Sequence, residues 1–209
     1  MPRHYNQVAG QSLDRLKALS DGVFAVAMTL LVLDLRAPAA EAIRSEADLW
    51  HGLLVLSPRL LTYVMSFITL GIFWIGQQTQ HDMVARSDRA YAWLHLVLLM
   101  AVTLVPFSTA LLAEFITYRV ALLVYWANIF VIGVMIGATL YRAHAFGLLK
   151  PDLDGGVFRA LVHRVVVAQG LYAFGAALCV FSTWWSIGFI AAVQLVYAIG
   201  PRFRPFTWL

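Results

Sequence analysis

Charge is scarce in this chain. Only 12% of its 209 residues are Asp, Glu, Lys or Arg, against roughly 25% in soluble domains. With 61% hydrophobic residues and a mean hydropathy of +0.77, that shortage excludes a soluble globular domain. Cysteine is nearly absent. Cys179 stands alone in an apolar segment, which excludes an internal disulfide and any CxxC motif and leaves a small buried hydrophobe. The histidines His4, His51, His81, His95, His144 and His163 are scattered, with no HExxH or other ligand spacing. His95 falls within an apolar span and reads as a packing or interface histidine. Gly155-Gly156 is too weak a signal for phosphate binding. No basic run interleaved with aromatics exists, so the net charge of +4 does not point to nucleic acid. A secretory leader is also missing. Met1 to Gly10 is polar and the first apolar run carries Asp21, so the first helix is expected to be retained.

What is present is a series of long apolar runs. A bilayer core about 30 Å thick needs about 20 helical residues. Six segments meet that or nearly do: 16–36, 53–77, 91–113, 119–141, 160–182 and 185–201. They are too long and continuous for β-barrel strands. The expectation is an all-α integral membrane protein, with residues 1–209 forming one six-helix transmembrane domain. Lys and Arg divide eleven to four between the two sides. Arg3, Arg15, Lys17, Arg86, Arg89, Arg142, Lys150, Arg159, Arg164, Arg202 and Arg204 share one side; Arg36, Arg44, Arg59 and Arg119 share the other. The positive-inside rule then puts both termini in the cytoplasm, as an even number of spans requires.

The connections carry fewer signals. Residues 37–48 read as a short outer helix or loop. Pro151 to Gly156 has turn chemistry. Ser182 to Trp185 reads as a tight outer turn with tryptophans at the interface. Pro106 should kink the third span, with Ser108 or Thr109 available to the freed carbonyl. Gly133 and Gly137 form a GxxxG step, which admits a close helix contact but also arises by chance in Gly-rich spans.

The first apolar helix, Arg15 to Leu35, has a polar head of Arg15, Ser20 and Asp21. Helical periodicity puts Val26, Thr29, Leu30 and Leu33 on one face, with Asp34 near its outer end. On periodicity alone these are ordinary packing residues, with Thr29 bonded back to a carbonyl one turn earlier. Polar groups inside lipid are costly, however, and favour a lined interior. Asp21 could serve as a cap with Ser20 or as a partner of Arg15. Arg15 and Asp21 do not share a helix face, so each is expected to reach polar groups on a neighbouring helix.

Arg15-(x)3-Leu19-Ser20-Asp21, running on to Thr29 and Asp34, closely resembles the first-helix signature of the bacterial TMEM175 potassium channels. Phe73-Trp74 and Pro106-Phe107-Ser108-Thr109 with Glu114 resemble further segments of that family. Two departures stand out. Leu19 replaces the usual Phe, which bears on packing behind the pore, and Gln77-Gln78 stand where many members have His. The resemblance implies a homotetramer of six-helix subunits in a bacterial cell membrane, with first helices lining a central pore. It implies no P-loop filter, and no TVGYG segment occurs here. It places the hydrophobic constriction on Val26, Leu30 and Leu33, and a selectivity hydroxyl layer on Thr29. Arg15, Ser20 and Asp21 become a structural network. The first-helix pattern occurs once, so cyclic symmetry must supply the other copies.

The expected function is a potassium-preferring, leak-type cation channel. Its partners would be the bilayer, monovalent cations and its own copies, with no cofactor beyond permeating K+ and no nucleic acid. Asp34 would raise the local cation concentration at the outer mouth. The alternative is a secondary cation or proton-coupled transporter, which would more often show inverted repeats.

Overall fold

The computed structural model describes residues 12–153 and 155–199. Arg3, His4, Asp154, Arg202, Arg204 and the end of the sixth expected segment lie outside the described residues. Eight α-helices run in order among those described: α1 (Leu13–Leu30), α2 (Glu46–Val55), α3 (Ser57–Met83), α4 (Arg89–Thr103), α5 (Val105–Glu114), α6 (Arg119–Ala145), α7 (Gly155–Ala177) and α8 (Thr183–Ile199). A 3-10 turn, Leu31–Asp34, prolongs α1. Five stretches are long and apolar enough to cross a membrane: Leu13–Asp34, Ser57–Met83, Arg89–Glu114, Arg119–Ala145 and Gly155–Val180. The sixth expected span is an apolar helix of only 17 residues, Thr183–Ile199.

Local chemistry sets the boundaries. The Ser12, Ser45 and Asp88 side chains accept from the amides of Arg15, Asp48 and Tyr91 and cap α1, α2 and α4. Ser45 also donates to the Asp48 carboxylate at 2.8 Å. That bond comes first, ahead of the Arg44 amide, in holding the exposed Asp48 carboxyl below its ordinary pKa. This helix, α2, covers Glu46–Val55, so residues 37–45 are loop apart from the short 3-10 turn Ala40–Ala42. Pro58 in the first turn of α3 starts a new helix, so the second span begins later than its hydropathy implies. That helix also runs past residue 77 to Met83, because Gln77, Gln80 and His81 are buried inside the bundle instead of ending the span.

The third span breaks as Pro106 requires. Leu104 ends α4 and Pro106 lies in the first turn of α5. Ser108 and Thr109 do not reach the freed Val102 carbonyl. Both hydroxyls donate to Val105 O, at 3.1 and 2.7 Å, while the Leu104 amide serves Ala101 and Val102. Thr109 Oγ1 also lies 2.7 Å from Ser66 Oγ. Cys179 is buried, whereas Trp184 and Trp185 are exposed beyond the Ser182 turn.

The core is a layer of apolar side chains between the helices. One face of α6 supplies Leu122, Tyr125, Ile129, Ile132 and Ile136. α6 packs against α4, α5 and α7; α8 packs against α7 and α3; α1 packs against α3 and α4. At one end Val84 and Leu149 form an isolated bridge that ties the loop after α3 to the loop after α6. Nearby, Arg142 of α6 holds Asp88 at 2.7 Å. Partial burial raises the Asp88 pKa, but the Arg142 hydrogen bond and the Tyr91 amide outweigh it and hold the carboxyl below 3.8. Arg142 also lies over the Phe146 ring, 3.4 Å from its centroid.

The GxxxG step is a real contact. A Cβ on Gly133 would collide with the Gln169 side chain of α7, whereas one on Gly137 would meet Val165 at an ordinary 4.0 Å. Gly133→Ala therefore requires the flexible end of Gln169 to swing aside and should cost no more than about 1 kcal/mol, while Gly137→Ala should be neutral; thermal melts of the two purified variants check this. A second expectation concerns pH. A depressed folded pKa gives stability that is present above the unfolded value and lost as pH falls through the folded one. Asp88→Asn keeps a competent cap but no charge. It should melt below the parent at pH 7, and the gap should close as the pH drops below 3.8.

Candidate functional site on the first helix

The two faces of α1 have opposite fates. Ser20, Phe24, Ala27 and Leu31 follow helical spacing and are buried against α3, α4 and α5. The other face is turned out of the subunit: Val26 is 57%, Leu30 43% and Leu33 66% exposed, while Phe24 is 1% exposed. The structure thus puts Val26, Thr29, Leu30 and Leu33 together on one outward stripe. Thr29 Oγ1 donates to Val26 O at 2.8 Å. That bond uses the hydroxyl proton and leaves the oxygen lone pairs free to accept a proton or contact a cation. Leu19 is 45% exposed, on the same side of α1 as the uncovered stripe.

Polar contacts hold the inner face. Ser20 Oγ donates to Gln77 Oε1 at 2.8 Å, and the Gln77 amide nitrogen lies 3.2 Å from His95 Nδ1. With that nitrogen as donor, His95 carries its ring proton on Nε2. The His95 ring packs on His81, centroids 4.9 Å apart. Beside this chain, Trp74 Nε1 donates to Asp21 Oδ1 at 2.9 Å. Trp74 and Gln77 sit three apart on one face of α3 and grip adjacent residues of α1. The Gln77 amide therefore links Ser20 of α1 to His95 of α4. Lys17 adds a weaker, exposed pair with Asp82 at 3.4 Å.

Two sequence-derived site residues sit differently from expectation. The Arg15 side chain has no hydrogen-bond or ion-pair partner among the described residues; only its backbone amide is engaged, in the Ser12 cap. Arg15 is thus not joined to Ser20 and Asp21 within one subunit. Asp34 is not a free carboxylate. Arg59 donates to Asp34 Oδ1 at 3.2 Å and to its carbonyl at 3.3 Å, and also pairs with Glu114. One guanidinium thus ties the end of α1 to the start of α3 and the end of α5. Sequence reading missed Arg59 because its partners lie 25 and 55 residues away. The signal for Trp74 and Gln77 was present in their i, i+3 spacing.

Comparison with known proteins places this geometry. A model of the family described as endosomal/lysosomal potassium channel TMEM175 matches residues 15–106. A potassium channel of Chamaesiphon minutus is 36% identical over 190 residues, covering 88% of this chain and 93% of that protein. One of Streptomyces collinus is 46% identical over 101 residues, 48% of each chain. The human endosomal/lysosomal proton channel TMEM175 is 24% identical over 203 residues, covering 93% of this chain and 39% of that protein. The crystal structure of a lysosomal potassium-selective channel TMEM175 homolog from Chamaesiphon minutus superposes with a TM-score of 0.79 at 32% identity, over 90% of this chain and 96% of that one. The fold and relatives define a multi-pass membrane cation channel, not an enzyme. The chain belongs to the TMEM175 family.

Removing the Ser20 hydroxyl orphans the buried Gln77 oxygen. Ser20→Ala should destabilise the protein by on the order of 1 kcal/mol, the scale of an interhelical hydrogen bond in a membrane. Thermal unfolding in detergent, compared with Ser12→Ala at the exposed cap, measures it.

Proposed function

We propose that this protein is a potassium-preferring leak channel, assembled as a homotetramer of six-span subunits with the first helices around a central path. The observation that carries the reading is the outward stripe of α1. Its opposite face is fastened to the bundle by Ser20 and Asp21, while Val26, Leu30 and Leu33 are left uncovered. Four such stripes facing an axis form an apolar collar. A narrow collar of that kind dewets and resists ions until the helices spread or rotate. The Thr29 oxygens, whose protons are turned toward Val26 O, supply lone pairs to a partly dehydrated cation. A hydroxyl layer offers fewer ligands than a carbonyl-lined filter, so potassium preference is modest.

At the outer mouth, two carboxylates, Asp34 and Glu114, share the single guanidinium of Arg59. Each subunit then contributes a net acidic cluster, with Asp34 as a member instead of an isolated charge. The basic excess on the opposite side sets both termini in the cytoplasm of a bacterial cell. Permeating K+ is the sole ion required, with no cofactor.

The test is cation flux from purified protein in liposomes under potassium, caesium and sodium gradients. Leu30→Ala should raise conduction several-fold by widening the collar. Thr29→Ala should move the potassium-to-sodium ratio toward unity. No flux with any cation contradicts the channel, and saturating, exchange-coupled flux assigns a secondary transporter instead.

A further inference from the structure

A cavity lies on the side of α3 away from α1, between α3, α6, α7 and α8. On one stretch of α3, Phe73, Gly76 and Gln80 face the cavity, while Trp74 and Gln77 face the first helix. Its walls are mainly apolar, with Ile72, Phe73, Leu140 and Leu161 prominent. The space is about 70 Å3, room for about five water- or methylene-sized groups. Gly76 lines it, and a Cβ there would meet nothing within 4 Å.

Polar groups gather at one part of the cavity, where Arg164 is exposed. Arg164 has no carboxylate partner among the described residues; it lies over the Tyr197 ring, 5.5 Å from its centroid. The Tyr197 hydroxyl is buried without a hydrogen-bond partner, and so is Gln169 Oε1. Tyr197 is two residues from the end of α8, and Gln80 is three from the end of α3. This part of the cavity is therefore near a membrane interface, on the side of the Val84–Leu149 bridge. An uncompensated guanidinium beside a phenol hydroxyl donates to an anionic oxygen, and the apolar walls suit a hydrocarbon chain. Lipid headgroups meet basic pockets between helices at this depth.

We propose that the cavity seats a short segment of one acyl chain of a bilayer phospholipid whose phosphate rests on Arg164 and Tyr197. The chain runs inward past Gly76 along Ile72 and Phe73. The rest of that chain and the whole second chain stay in the bilayer, since the space admits only a few methylene groups. A water accompanying the phosphate can serve Gln169 Oε1.

Photo-crosslinking on the full-length protein in liposomes tests this. The probe is phosphatidylglycerol with a diazirine on one acyl chain, and the reference is diacylglycerol with the same chains. Mass spectrometry should map saturable phosphatidylglycerol adducts to the α3, α6 and α7 walls. Losing one charge-assisted contact of about 1.4 kcal/mol predicts about tenfold less cavity labelling for diacylglycerol and for Arg164→Gln. Arg164→Lys should retain most of the labelling, and Gly76→Leu should abolish it by filling the space. Adducts at lipid-facing sites elsewhere should persist in every variant. Equal cavity labelling by diacylglycerol overturns the phosphate contact, and so does unchanged labelling in Arg164→Gln. Competition by free decanoate as strong as by phosphatidylglycerol overturns the phospholipid as occupant. Should Gly76→Leu fail to fold, the Arg164 pair and the diacylglycerol arm still decide.

Discussion

The first helix is held to its bundle by directed hydrogen bonds, one buried at Ser20 and one more exposed at Asp21. Ser20 to Gln77 and Trp74 to Asp21 fix its rotation about its own axis. Inside a bilayer a buried polar group must find its partner within the protein, so the Ser20–Gln77 contact allows few alternatives. Once Ser20 is turned inward, helical geometry turns Phe24, Ala27 and Leu31 inward with it. The same geometry sends Val26, Thr29, Leu30 and Leu33 outward. The outward stripe is thus a consequence of the inner contacts, and the proposed conduction path depends on them.

Two anchors keep that helix from sliding. Near its start, the Ser20–Gln77–His95 chain joins it to α3 and α4. Beyond its end, Arg59 gathers Asp34 and Glu114. Between the anchors the contacts are apolar and non-directional, which suits a helix whose middle must shift to open a collar. The rest of the bundle is more tightly keyed, as at Gly133, where the absence of a side chain seats Gln169.

Much of this was legible in the sequence, for identifiable reasons. Long apolar runs announce helices regardless of context, so the main segments were found with ends off by a few residues. The Val26–Thr29–Leu30–Leu33 face followed from period alone, but period cannot tell a face that meets a neighbouring helix from one left uncovered. The inner contacts of Ser20 and Asp21 make that distinction. Hydropathy misplaced the end of α3, because Gln77, Gln80 and His81 look like solvent residues until their burial is seen. It read Asp34 as an isolated acid, because Arg59 and Glu114 are distant in the chain and meet it only in three dimensions. Arg15, the first residue of the motif, has no side-chain hydrogen bond or ion pair among the described residues, so periodicity and spacing could not assign it a partner.

The central claim is that the outward stripe of α1 lines the ion path. The direct measurement uses the single native cysteine to advantage. In a Cys179→Ala background, a thiol is placed at Leu33 or, for comparison, at exposed Phe174 on α7. Potassium flux from liposomes is followed as a water-soluble, positively charged methanethiosulfonate reagent is added. The account predicts that flux through the Leu33→Cys protein falls as the thiol is modified, while the Phe174→Cys protein conducts unchanged. Complete modification at Leu33 with flux unaltered would contradict it.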